Sequence, residues 1–195
     1  MRIAVIGTGH IGGTLGTKWH QAGHDVVYGS RTESVSGPGG PPVRSIADAM
    51  VDADAVLLAV PGMAVAEVLG VYGESLAGKV VIDAANRMGE AEANSRAAVA
   101  TAAPTAHYAR AFNTYGWENF ADPPAGAALL FAADAAARPV AEDLIRAVGL
   151  EPAFVGDDSA ARTVDGALPL WFSLVQQSGG NRRLAFAIVR WRSGE

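Results

Sequence analysis

Cysteine is missing altogether from the 195 residues, which excludes disulfide staples, thiolate nucleophiles and cysteine-ligated metal centres. Charge is sparse as well, with 15 Lys and Arg against 20 Asp and Glu for a formal net charge of −5. A chain of that sign does not attract a phosphate backbone, so nucleic acid is not an expected partner. Any anionic ligand must be drawn by local basic groups rather than by the overall field. The sequence has no apolar run of membrane-spanning length and no basic-then-apolar leader, so we expect a cytoplasmic protein without a membrane partner. No metal site is expected either. What the chain does have is 50% hydrophobic residues, enough to bury a full sheet with helices on both faces of one compact domain.

Arg2-Ile3-Ala4-Val5-Ile6 is an apolar run that ends in Gly7-Thr8-Gly9-His10-Ile11-Gly12, the pattern G-x-G-x-x-G. In such a pattern the first glycine permits the strand-to-helix turn, the second lets backbone approach a pyrophosphate, and the third lets the helix sit close on the sheet. The helix N-terminus then meets the anion with free N–H groups and the positive end of its dipole. Ile11, Leu15 and Trp19 recur at helical spacing with Gly12 and Gly16 beside them, which predicts an amphipathic helix with a glycine seam. That helix ends at Gly23, and Asp25-Val26-Val27-Tyr28-Gly29 follows as a second strand.

The residues after that strand select the dinucleotide. An NAD site usually places Asp or Glu about 20 residues beyond the glycine loop to accept from the ribose hydroxyls; here the sequence reads Ser30-Arg31-Thr32. A guanidinium offers a 2′-phosphate a planar fork and permanent charge, and the flanking hydroxyls can donate to its remaining oxygens. The expected cofactor is therefore NADP. A second reading stays open in which Arg31 is a solvated loop arginine, with Glu33 nearby working against phosphate. Arg44 is a weaker second phosphate contact.

Further along, strand and helix signals alternate. A glycine- and proline-rich loop from Val35 to Pro42 precedes a helix capped by Ser45, then come a buried strand Ala55 to Val60 and a stop at Pro61-Gly62. A helix near Met63 to Leu69, a strand Lys79 to Asp83, a helix around Glu90 to Ala103 and a strand His107 to Phe112 follow. A strand Ala127 to Ala132, a helix Ala135 to Val148 and a strand Pro152 to Val155 extend the series. This predicts an α/β fold: a Rossmann-type doubly wound, mostly parallel sheet with a small C-terminal helical cap. Residues 1–156 form the dinucleotide-binding domain, and residues 157–195 a helical extension packed on it. His107, Tyr108, Tyr115 and Trp117 fall at or just past a strand end, where they either stack on a ligand ring or belong to the core. Trp171 and Phe172 fill the cap, pair subunits of a homodimer or line a second substrate site. Four arginines of the tail, Arg182, Arg183, Arg190 and Arg192, are docking charges for an acidic ligand or a solvated basic face.

GTGHIGGTLG followed by GSR, LLAVPG, KVVIDAAN, ARAFNTYGWENF, DDSAAR and LPLWFSL resembles, over nearly the whole chain, the NADPH-dependent coenzyme F420 reductases, or F420-dependent NADP oxidoreductases. The resemblance implies that Thr8, His10 and Ile11 contact the diphosphate in the loop set by Gly7, Gly9 and Gly12, and that Ser30 and Arg31, beside Thr32, hold the 2′-phosphate. It further implies that Val60 and Pro61 pack on the adenine or ribose side, and that Asn86 with Ala111, Phe112 and Asn113 flanks the nicotinamide. The implied partner is a small-molecule hydride donor or acceptor, the implied cofactors are NADP and coenzyme F420, and the implied chemistry is direct hydride transfer. Both carriers hold their own reactive atoms, so the protein supplies orientation and a dry pocket, and no catalytic residue is assigned. Two other functions fit the residues: an NADPH-dependent reductase of a flavin, quinone or imine, and a non-enzymatic NADP(H)-sensing or scaffold module.

Arg31→Ala is expected to weaken NADPH binding about tenfold to a hundredfold, the loss of one charge-assisted hydrogen bond, and to leave NADH binding nearly unchanged. Titration of both nucleotides checks this, and an equal loss for the two would show that Arg31 does not read the phosphate.

Overall fold

Ile3 and Val5 belong to one buried apolar cluster and Ala4 and Ile6 to another, as a strand covered on both faces requires, because successive side chains alternate across it. All four are fully buried. This strand, β1 (Arg2–Ile6), is followed by β2 (Asp25–Gly29), β3 (Val43–Arg44), β4 (Ala55–Leu58), β5 (Val80–Asp83), β6 (His107–Arg110), β7 (Ala128–Ala133) and β8 (Glu151–Gly156). The computed structural model describes residues 1–31 and 40–189. Thr32, Arg190 and Arg192 lie outside the described residues.

The strands form one eight-stranded sheet of order β3-β2-β1-β4-β5-β6-β7-β8. Neighbours are parallel except at β6–β7, where Ala109 and Arg110 face Ala133 and Ala132 in antiparallel register. The order reverses direction between β1 and β4, which makes the carboxyl ends of those strands the crevice where ligands of open α/β sheets bind.

The α-helices are α1 (His10–Gln21), α2 (Ile46–Met50), α3 (Val65–Tyr72), α4 (Arg96–Ala102), α5 (Glu118–Ala121), α6 (Ala137–Ala147), α7 (Ala161–Asp165) and α8 (Ala167–Gln177). One face of the sheet is covered by α1, α5, α6 and α8, which bring Leu15, Trp19, Phe120, Leu144, Ile145 and Trp171 to the core. The other is covered by α2, α3 and α4, through Ile46, Met50, Val68, Leu69 and Val99. The indole of Trp19 donates to the carbonyl of Leu144 at 3.0 Å, so its polar edge is satisfied inside the core.

The structure adds one element and shifts two boundaries. Val43–Arg44, between the expected loop and the helix capped by Ser45, forms the edge strand β3 against Tyr28 and Gly29; so short an edge strand leaves little pattern in the sequence. The helix expected from about Glu90 begins only at Arg96. The reason is that the preceding N–H groups are bonded elsewhere, Asn94 to the Asp165 carboxylate at 3.2 Å and Ser95 to that of Asp83 at 2.6 Å. The helical cap is helical only to Gln177; the left-handed Gly179 and Gly180, at φ 72° and 87°, stop it.

From Asn181 the chain runs back as an extended strap. Phe186 forms an antiparallel bridge with Ala128, whose N–H donates to the Phe186 carbonyl at 2.7 Å. Tyr115 closes the bridge from the other side: its hydroxyl donates to the Ala128 carbonyl at 2.6 Å and accepts from the Phe186 N–H at 2.7 Å. Burial pushes that hydroxyl up to about 12, so it stays neutral and able to donate. The Trp171 indole donates to Leu184 O and the Asn119 amide to Arg182 O, both at 2.7 Å. Two of the four arginines considered as docking charges are paired within the chain, Arg182 with Glu118 at 2.8 Å and Arg183 with Asp122 at 3.0 Å.

Tyr115→Phe removes the donor to Ala128 and strands the Phe186 N–H. The expected cost is about 1–3 kcal/mol in urea unfolding, with faster tryptic cleavage after Arg182 and Arg183. An unchanged cleavage rate would show that the strap is held by its apolar contacts alone.

Candidate functional site

The glycine loop is built by close approach. Gly7 has φ +108°, a conformation side chains resist, and its N–H donates to Gly29 O at 3.1 Å. A Cβ on Gly12 would overlap the carbonyl of Gly7 and lie 3.2 Å from the Ala59 methyl, so only glycine lets α1 start this near β1 and β4. A Cβ on Gly9, by contrast, meets nothing within 4 Å. Gly9 is the N-cap of α1, in extended backbone, and no side chain caps the helix or places an acid in its first turn. That leaves the N-terminal donors of α1 open for an anion.

Beside this loop is a cavity of about 270 Å³ lined by Gly7, Thr8, Gly9, Ser30, Arg31, Val60 and Pro61. The structure thus brings together, at the carboxyl ends of β1, β2 and β4, seven of the residues expected to hold the adenosine and phosphate half of a dinucleotide. Arg31 is exposed at its rim. Sequence reasoning missed the opposite wall, where Ile46 of α2 and Glu67, Val71 and Tyr72 of α3 line the same space. No short motif marks these residues; that Val71 stands 67% exposed at the cavity is visible only in the structure.

The remaining residues assigned to the loop take different roles. His10 stacks on Trp117, with ring centroids 5.3 Å apart and planes at 19°. The side chain of Ile11 packs against the core and Gly12 is buried within the first turn of α1, so their route to a diphosphate is through backbone N–H groups.

The residues expected around the nicotinamide meet at the ends of β5 and β6. Asn86 donates from Nδ2 to the carbonyl of Asn113 at 2.8 Å, joining the loops after the two strands. Ala111 is fully buried. Phe112 is a correction at the side-chain level: its ring is 1% exposed and lies edge-on to Trp19 and Phe120, each at 5.6 Å. It can reach a ligand only through its backbone, which sits at φ +62°, a strained conformation for a bulky residue. Asn113 is 3% exposed, yet neither Nδ2 nor Oδ1 has a hydrogen-bond partner among the described residues, and the Thr114 hydroxyl is in the same condition. Buried amides are ordinarily satisfied. A donor and an acceptor left open at this end fit a ligand carrying a carboxamide or imide edge.

Two of the aromatic residues considered for ring stacking are placed elsewhere. His107 opens β6 at its amino end, away from the ligand-binding edge, with Nδ1 3.6 Å from Asp134. Tyr108 is buried, its hydroxyl donating to Asp83 at 2.8 Å. Burial and then the Asp83 charge hold that hydroxyl well above the usual tyrosine range. Trp117 remains at the site edge, 36% exposed. Among the described residues there is no group of three His, Asp or Glu that could hold a metal ion, and no helix long and apolar enough to cross a membrane.

Sheet order, glycine turn and basic corner define the class, an NADP-dependent oxidoreductase of Rossmann type. Residues 2–87 match the family of NADP oxidoreductases described as coenzyme F420-dependent. Among solved structures, a candidate F420-dependent NADP-reductase from Arthrobacter sp. FB24 is similar with a TM-score of 0.83 and 25% identity, covering 97% of this chain and 100% of that one. A pyrroline-5-carboxylate reductase from Coxiella burnetii is similar with a TM-score of 0.69 and 18% identity, covering 91% and 68%. An imine reductase from Streptomyces aurantiacus, of which this chain spans 61%, is similar with a TM-score of 0.68 and 18% identity over 90% of this chain. The last two likenesses show the fold alone.

Gly9→Val and Gly12→Val are expected to separate binding from folding. The first should fold with near-normal thermal stability and lose NADP binding, because its side chain enters open space in front of the helix. The second should lose stability by several kcal/mol, because something in the Gly7 turn must move. Equal melting temperatures for the two variants, or full NADP affinity in Gly9→Val, would contradict this division.

Proposed function

We propose that the protein transfers hydride between NADP(H) and a deazaflavin of the coenzyme F420 class. The observation that carries the reading is the joining of the uncapped glycine-loop helix and Ser30-Arg31 in one cavity at the switch point of the sheet. The likeness to the Arthrobacter protein runs through the tail as well as the amino-terminal half, and so supports an acceptor of the kind that protein's description names.

The residues divide the work by position. Ser30 and Arg31 hold the 2′-phosphate, the backbone of Thr8 to Gly12 holds the diphosphate, and Val60 and Pro61 pack on the nucleoside. Asn86 and Asn113 lie where the nicotinamide end would reach. NADPH, when bound there, would supply the hydride from nicotinamide C4 that reduces the acceptor ring, with the balancing proton taken from solvent. The chain's task is to align two planar rings and keep water from between them.

Steady-state oxidation of NADPH with a deazaflavin, with a free flavin and with a cyclic imine as acceptors tests the proposal. Turnover should be fastest by at least about tenfold with the deazaflavin. Turnover with flavin or imine alone would reassign the substrate, and tight NADPH binding with no turnover on any acceptor would replace the enzyme by a sensing module.

A further inference from the structure

Arg110 is the largest charged side chain in the interior, fully buried in the middle of the sheet. All three of its nitrogens donate. Nε reaches Asp165 Oδ1 at 2.7 Å, one terminal nitrogen reaches the carbonyls of Asp83 and Ala85 at 3.1 and 2.5 Å, and the other reaches Asn86 Oδ1 at 2.7 Å. The same guanidinium lies 3.3 Å from the Asp83 carboxylate. One cation thus ties β6 to the end of β5, to the loop after it and to α7 of the tail.

The contact with Asn86 has a consequence for the site. Because Arg110 occupies Oδ1, the Asn86 amide cannot flip, and Nδ2 is directed to the backbone carbonyl of Asn113. Asn113 in turn carries the buried amide whose donor and acceptor both lack partners among the described residues. It follows Phe112, held at positive φ, so its backbone is constrained from both sides. An arginine and an asparagine therefore hold the backbone of Asn113, whose carboxamide has no partner among the described residues, at the end where a nicotinamide would lie. Asp165 extends the chain of contacts: it also accepts from the Asn94 backbone and side chain, at 3.2 and 2.7 Å. The tail helix thereby touches the same relay.

We infer that Arg110 is a positioning residue for the nicotinamide half of the NADP site, acting through Asn86 on Asn113, with Asp165 coupling the tail to it. The inference rests on the proposed NADP(H) function and concerns the half of the cofactor that the cavity at Arg31 does not reach. Nothing in the relay touches the 2′-phosphate corner. Loosening it should cost only the affinity that the nicotinamide half adds, and should leave adenosine 2′,5′-bisphosphate, which lacks that half, bound as before.

Calorimetric titration with NADP+ and with adenosine 2′,5′-bisphosphate, on the full chain and its variants, tests this. The unaltered protein should bind both, NADP+ the more tightly. Arg110→Lys, which keeps the charge and loses the fork, and Asp165→Asn should weaken NADP+ about fivefold or more while changing the bisphosphate less than twofold. Asn86→Ala should do the same, and adding Arg110→Lys to it should produce little further loss, since the two act in series. If the buried Arg110→Lys fails to fold, Asp165→Asn and Asn86→Ala decide. Failure of the unaltered protein to bind either probe would remove the NADP reading itself. Binding of both by the unaltered protein, with variants that weaken both equally, weaken neither, or add independently in the double variant, would overturn the positioning role alone.

Discussion

The distance between α1 and the turn at Gly7 is the constraint from which the rest of the site follows. Gly12 can lie against the Gly7 carbonyl and Ala59 only because it has no side chain, and this closeness brings the N-terminus of α1 to the crevice between β1 and β4. Were the helix displaced by a methyl group, its donors would leave the cavity that Ser30, Arg31, Val60 and Pro61 enclose. Backbone dipoles then do what a lysine would do elsewhere, without a long flexible side chain to order. A chain with a net charge of −5 can accept an anion on these terms because the attraction is local.

A second constraint sits two strands away. Burying Arg110 with Asp83 and Asp165 removes three charges from water, a cost that short-range pairing and a full set of hydrogen bonds must offset. Burial raises the Asp83 carboxyl, and the Arg110 guanidinium is the largest influence opposing it, followed by the Ser95 N–H and the Tyr108 hydroxyl. An apolar trio would pack there at less cost, but would not tell the loops after β5 and β6, or helix α7, where to stop. The ionic cluster defines register between elements that are 55 residues apart in the chain. The strap beyond Gly180 is secured in a similar manner, through Tyr115, Trp171 and Asn119, each giving or taking a hydrogen bond at a backbone atom.

Much of the amino-terminal half is legible because its signals are local. The β1–α1–β2 unit announces itself in strand alternation, 3.6-residue periodicity and glycines at fixed offsets, and Ser30-Arg31 follows at a fixed distance from the loop. Legibility declines where partners are remote. The sequence offers Phe112 as a cofactor contact because it sits between Ala111 and Asn113; only packing against Trp19 and Phe120 shows that its ring is core. Arg182 and Arg183 look like free charges until Glu118 and Asp122, more than 60 residues earlier, are found beside them. Glu67, Val71 and Tyr72 reach the cavity because α3 packs on the face of the sheet that carries Val56 and Leu58, which no short motif records.

By itself, then, the sequence determined the class of fold and the glycine turn, because each depends on residues within one βαβ unit and on steric rules that act over a few positions. The tertiary structure alone decided how β5, β6 and α7 are joined through Arg110, why Asn113 is left with an open amide, and that residues 181–189 run as a strap rather than a helix. Those outcomes depend on side chains brought together from distant parts of the chain, where burial turns an ordinary arginine or asparagine into a constraint that water would otherwise screen.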